Sequence, residues 1–144
     1  MHDQRMRELA RRAVACRAQS VDGAGAIATA VQRAYDDLAR VSSPLIGQLS
    51  LDALTGRMLY LAQRRYPWLV NARMPDHWSG PFPQIVFCLE TQEPDVATEA
   101  AGAVLAILMG LLITFIGEPL TTRVLEEAWP DAFADASPPG RHET

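Results

Sequence analysis

The histidines and cysteines are the residues with the most obvious chemistry, and their spacing matches no catalytic or metal-binding motif. The histidines are His2, His77 and His142, and the cysteines, Cys16 and Cys88, lie 72 positions apart. Zinc and iron sites need several such ligands at short, regular spacings. We therefore expect no bound metal and no other cofactor, and two reduced thiols rather than a disulfide.

The possible nucleophiles and acid pairs also lack the surroundings that catalysis requires. Ser79 has no glycine two positions before it, as a nucleophile elbow would have, and Cys88 stands in an apolar run, where a thiol is a poor nucleophile. The adjacent acids Asp36-Asp37 and Glu126-Glu127 point about 100° apart on a helix, so they cannot share one substrate. The sequence predicts a protein that is not an enzyme.

An irregular stretch at residues 67–84 is the candidate for a ligand pocket. It contains four prolines and several side chains that could line a groove for a small molecule or peptide. These candidates are Trp68, His77, Trp78 and Phe82. The same aromatic side chains could instead form a lid over the core of the fold, and we favour the lid.

The element that dominates the sequence is one apolar helix at about residues 96–117. From Ala100 to Gly117 the only polar side chain is Thr114. Eighteen helical residues span about 27 Å, close to the roughly 30 Å of a bilayer's hydrocarbon core. The segment therefore fits either a membrane span or the centre of a soluble bundle. We favour the bundle, because the amphipathic segments around it need a partner for their apolar faces.

Small residues recur at every fourth position of this helix, which predicts close packing against a second helix. Together with two large neighbours they are our candidates for a homodimer interface. These candidates are Gly102, Ala106, Gly110, Leu105 and Met109.

The rest of the chain has the periodicity of amphipathic helices. In one of them, Leu51, Leu54, Met58 and Leu61 form a predicted packing seam. The run at 84–92 would suit a strand, but no second strand is available to pair with it, so we predict a helix. The predicted segments are 4–18, 23–41 (ended by Ser42-Ser43-Pro44), a short helix at 44–49, 50–66, 84–92 and 119–129.

These segments predict an all-α fold, a bundle of five to six helices around the apolar central helix. Residues 1–130 are expected to form a single helical domain. Residues 131–144, which contain prolines and acids, are expected to be a flexible tail.

The charges are unevenly distributed, which suggests two possible roles. All 13 basic residues are arginine; residues 1–75 hold 11 of them against 6 acids (+5), and residues 76–144 hold 2 against 11 acids (−9). The halves could face each other, or the arginines could bind an anionic partner. The sequence pattern at 45–51 is similar to that of a helix-turn-helix motif. The helix after it carries the packing seam, however, so nucleic-acid binding is not expected.

We therefore expect a non-enzymatic regulatory or adaptor module that interacts with proteins and forms a homodimer in the cytoplasm. The use of arginine in place of lysine and the high alanine content are typical of bacterial, GC-rich coding. Another protein is a possible partner. Two alternatives stay open: a small membrane-associated protein with residues 100–117 as the membrane helix, and a ligand-sensing bundle that uses the aromatic loop at 67–84.

Overall fold

The computed structural model describes residues 2–18, 24–69 and 81–134, and it confirms the all-α fold. Six α-helices of nine residues or more occupy these ranges, with one shorter helix at the end. They are α1 (His2–Ala18), α2 (Ala24–Ile46), α3 (Gln48–Arg65), α4 (Pro81–Leu89), α5 (Pro94–Ile116), α6 (Glu118–Ala128) and α7 (Pro130–Ala134), with a 3₁₀ turn at Pro67–Leu69.

Helix α5 is the apolar helix that the sequence predicts, and it lies at the centre of the bundle. Pro94 occupies its first turn together with Asp95, whose charge suits the positive end of the helix dipole. Helices α1, α2 and α3 pack around it. Residues such as Val104, Leu108 and Leu112 are completely buried, because a helix without a polar face is stable in water only when its neighbours cover it.

Helix α2 differs from the prediction at its end. We predicted that Ser42-Ser43-Pro44 ends it and that a separate short helix spans 44–49, but α2 continues to Ile46 with Pro44 inside it. Pro44 is exposed, so its ring projects into solvent. Its missing N–H removes one helical hydrogen bond only two residues before the helix ends. Helix α3 consequently begins at Gln48 rather than at Ser50.

Two single glycines make the sharp connections between long helices. Gly47 joins α2 to α3 with φ 90° and ψ 149°, and Gly117 joins α5 to α6 with φ 92° and ψ 156°. Each glycine N–H closes the helix before it, through hydrogen bonds of 2.8 Å to the carbonyls of Ser43 and Ile113. Only glycine reaches this backbone region without strain.

We expect Gly117→Ala to lower the free energy of unfolding by about 1–3 kcal/mol, because alanine is strained at this φ and ψ. The matched control is Gly110→Ala on the same helix. It should stabilise the protein by up to about 1 kcal/mol, since alanine favours helical geometry. Urea unfolding followed by circular dichroism measures both. Equal stability of the two variants would contradict the role that we give to Gly117.

The last helices also adjust the predicted boundaries. The helix predicted at 84–92 is confirmed as α4, which begins three residues earlier and ends at Leu89. After α6, the short helix α7 packs against α1, with Trp129 and Ala132 buried. The helical part therefore extends to residue 134, beyond the predicted limit of 130. The remainder of the predicted tail, 135–144, lies outside the described residues.

Candidate helix-docking groove

One side of α5 is left uncovered and forms the floor of a surface groove between α1 and α3. The groove has a volume of about 320 Å³, and we call it the α5 groove. Met6 and Arg7 of α1 and Arg65 of α3 form its walls. The floor consists of Ala103, Ala106, Ile107, Gly110, Leu111 and Thr114.

The structure divides the five predicted interface residues between the core and this groove. Leu105 and Met109 have no exposed surface. Gly102 is buried too, beneath α1, where a Cβ atom added to it would lie 3.6 Å from Cγ of Arg11. Ala106 and Gly110 are partly exposed. Only these two can meet another molecule while the bundle stays intact, so self-association at this stripe stays a prediction for them alone.

Gly110 has no evident role inside the bundle. A Cβ atom added to it would meet no heavy atom within 4 Å, and glycine within a helix is less favourable than alanine by up to about 1 kcal/mol. A glycine at the floor of an apolar groove leaves room for the backbone of a second helix to approach closely.

The walls of the groove carry positive charge that the described residues leave unpaired. No described carboxylate forms an ion pair with Arg7 or Arg65; the Arg65 guanidinium instead lies 5.7 Å from the centre of the Tyr66 ring. The floor is apolar apart from Thr114. An apolar floor between two arginines fits an occupant with an apolar face and acidic flanks.

The aromatic loop candidates are placed only in part. Phe82 is 2% exposed and stacks on Tyr35, with ring centroids 4.1 Å apart and planes 14° apart. Trp68 is half-buried against Tyr66, with ring centroids 5.7 Å apart. Both side chains therefore pack against the bundle core. His77 and Trp78 lie outside the described residues, so a pocket in this loop stays a prediction.

The hydroxyl of Tyr35 is satisfied inside the bundle. The Thr55 hydroxyl donates to the Leu51 carbonyl at 2.8 Å, so Tyr35 is the donor in its 2.9 Å hydrogen bond with Thr55. Burial raises the pKa of Tyr35, because charge is unfavourable away from water. The pair is a structural contact between α2 and α3, and it offers no acid or base to a ligand.

Two further properties bear on the kind of site. Among the described residues, no group of three or more His, Cys, Asp or Glu side chains is placed to hold a metal ion. Helix α5 is long and apolar enough to cross a membrane by length and composition, although half of its most apolar window is buried inside the bundle.

Comparison with known proteins returns no relative. No protein-family model, no curated protein and no solved structure matches this chain. Its function must therefore be inferred from the chemistry of its own surfaces.

Proposed function

We propose that this protein is a non-enzymatic helical adaptor or regulatory module that forms a homodimer and binds a helix of a partner protein in the α5 groove. The observation that carries the proposal is Gly110, a helical glycine that its own fold does not need, on the floor of an apolar groove walled by arginines. Cys16 and Cys88 are not joined in a disulfide, which is consistent with the reducing cytoplasm that we propose as the location.

The floor of the groove has the spacing that a second helix requires. Ala103, Ile107, Gly110 and Thr114 succeed one another at intervals of 4, 3 and 4, which is the seam of a helix packed lengthwise on another. An amphipathic helix that lays its apolar face into such a groove is a common mode of protein recognition.

The arginine walls favour an acidic helix from another protein over a second copy of α5. Between Ala100 and Ile116, α5 contains no acid, so a second α5 seated over this floor would bring no carboxylate to Arg7 or Arg65 from that stretch. A partner helix with glutamates on both flanks would form ion pairs with Arg7 and Arg65. A helix with basic flanks would be repelled by the same two arginines.

A synthetic amphipathic helix with leucines at heptad spacing and glutamates on both flanks tests the proposal. Fluorescence anisotropy should show that it binds the protein at least about tenfold more tightly than the same peptide with lysine in place of glutamate. Gly110→Leu should fill the groove and abolish binding. Gly25→Leu is the matched control, because Gly25 is also a helical glycine with open space around its Cβ position, and it should bind as the wild type does.

Three outcomes would count against this reading. Absence of binding by both peptides would contradict the groove as a helix site, and equal binding of the two would contradict the role of the arginines. A fall in light-scattering mass from dimer to monomer in Gly110→Leu alone would show that a second copy occupies the groove, as the sequence-based prediction holds.

Association with a membrane is a second candidate, supported by the length of α5 and by apolar side chains at one end of the bundle. Phe115 is 54% exposed, and Leu45 and Leu120, 54% and 38% exposed, line one groove between α2 and α6. Light scattering with and without detergent separates the candidates. A protein that stays soluble with the same mass in plain buffer would remove this one.

A further inference from the structure

The outward face of α3 is used neither by the core nor by the α5 groove. It carries Leu49, Ala53, Gly56 and Tyr60, all exposed, with Leu49 at 86% and Tyr60 at 51%. We call these four residues the α3 outer stripe. Their intervals of 4, 3 and 4 form a heptad seam. At about 100° per residue, this seam points almost directly away from the buried side of α3, which consists of Leu51, Thr55, Met58 and Ala62.

Gly56 at the middle of the stripe permits a close approach. A Cβ atom added there would meet nothing within 4 Å, so the fold of one copy does not require glycine. Gly56 and Ala53 lie between two large side chains, Leu49 and Tyr60. A second helix can therefore approach closely at the centre while the large residues make contact on either side.

The charges beside the stripe identify its occupant. Asp52 lies along one edge and accepts a hydrogen bond of 2.8 Å from Gln48. Arg57 lies along the other edge, 5.4 Å from the centre of the Tyr60 ring, and no described carboxylate pairs with it. In two parallel heptad helices, a flanking residue of one copy meets the opposite flanking residue five positions later in the other. Asp52 and Arg57 are five positions apart.

We infer that two copies of this chain pair through the α3 outer stripe, with their α3 helices parallel. Asp52 of each copy then lies beside Arg57 of the other, and each stripe residue meets its own counterpart across a two-fold axis. The inference rests on the homodimer in the proposed function, but it places that dimer on a surface separate from the α5 groove.

The size of the stripe sets the expected strength of the dimer. From residue 49 to 60 the stripe is about 17 Å long. That is short for an interface, because stable complexes bury about 800 Å² on each partner. We therefore expect a concentration-dependent dimer with a dissociation constant in the micromolar range.

Charge reversal tests the pairing by sedimentation equilibrium on the full chain. Asp52→Arg and Arg57→Asp should each weaken the dimer at least about tenfold, because each places two like-charged pairs across the two-fold axis. The double variant exchanges both charges in both copies and should return to within about threefold of the wild type. A double variant no tighter than the single ones would overturn the inference, as would a wild type that stays monomeric at millimolar concentration.

Two further variants exclude general effects of charge and volume. Arg33→Asp makes the same charge change at an exposed position on α2, and it should dimerise as the wild type does. Gly56→Leu should weaken the dimer at least about tenfold, with unchanged circular dichroism because its side chain has open space in the monomer. Wild-type dimerisation by Gly56→Leu would overturn the inference.

A cysteine at the first position of the stripe reports the direction of the two helices. On a Cys16→Ser background, Leu49→Cys should form a disulfide-linked dimer on mild oxidation, because equivalent residues meet only if the helices are parallel. If a cross-link formed only in a mixture of Leu49→Cys and Tyr60→Cys chains, the α3 helices would be antiparallel. That result would overturn the inference. The Asp52→Arg variant, with its weakened dimer, should still bind the glutamate peptide, so failure of the stripe and failure of the α5 groove are separable.

Discussion

Trp129→Ala is expected to lower the free energy of unfolding by about 3–5 kcal/mol, the range for removal of a large aromatic side chain from a core. Trp129 has no exposed surface and is the single residue that connects α6 to α7. Its indole N–H donates to the Ala34 carbonyl of α2 at 2.9 Å. One side chain thus fixes the C-terminal helices to the long helix α2, and urea unfolding followed by circular dichroism measures the loss.

Trp129→Phe is the matched control, because it keeps an aromatic ring and removes the donor. It should cost about 1–2 kcal/mol, from the lost hydrogen bond and the smaller volume. If Trp129→Ala lost no more than Trp129→Phe, the packing of the ring would be unimportant and the hydrogen bond would account for the effect. A loss of less than about 1 kcal/mol in Trp129→Ala would contradict both contributions.

The helices themselves could be predicted because hydrophobic periodicity depends on local sequence. The central position of α5 followed from one property, the absence of a polar face. The end of α2 could not be predicted in the same way. Pro44 can either end a helix or lie within its last turn, depending on whether its ring faces solvent or the bundle. That orientation is decided by how α2 packs in the bundle.

The choice of buried face on α3 shows a second limit. Leucine spacing predicted a seam at Leu51, Leu54, Met58 and Leu61, whereas the structure fully buries Leu51, Thr55, Met58 and Ala62 and leaves Leu54 and Leu61 partly exposed. Thr55 enters the core because its hydroxyl bonds both Tyr35 and its own helix. A hydrophobic pattern cannot predict that a polar residue such as Thr55 is buried, because its partner Tyr35 lies twenty positions away in the sequence.

The candidate site could be predicted only as a stripe, not as a groove. Because α5 is apolar on all sides, its sequence does not indicate which residues α1 and α3 cover. It was therefore impossible to separate buried Leu105 and Met109 from available Ala106 and Gly110. The groove walls, Arg7 and Arg65, stand 58 positions apart, and only the packing of α1 and α3 on α5 brings them together.

Arg17→Met is expected to lower the free energy of unfolding by about 2–3 kcal/mol, somewhat less than the roughly 3–5 kcal/mol that breaking a fully buried ion pair costs. The Arg17 side chain is 12% exposed and lies 2.8 Å from a carboxylate oxygen of Asp37 on α2. It also donates to the carbonyls of Ala13 at 3.0 Å and Ala128 at 3.3 Å. Ala128 is the last residue of α6, where a positive charge suits the helix dipole. Methionine keeps most of the apolar stem and removes these bonds, while Asp37, one-third exposed, regains some hydration.

Arg40→Met is the control, because Arg40 pairs with the other oxygen of the same carboxylate at 3.3 Å. Its side chain is 66% exposed, and exposed ion pairs contribute less than about 1 kcal/mol. Because both arginines pair with the Asp37 carboxylate, the difference in stability between the two variants measures the effect of burying the arginine. Adding salt should weaken the Arg40 contribution more than the Arg17 contribution, because water and ions reach the exposed pair. Equal losses in the two variants would mean that Arg17 does not join α1, α2 and α6, and that the bundle is held by its apolar contacts alone.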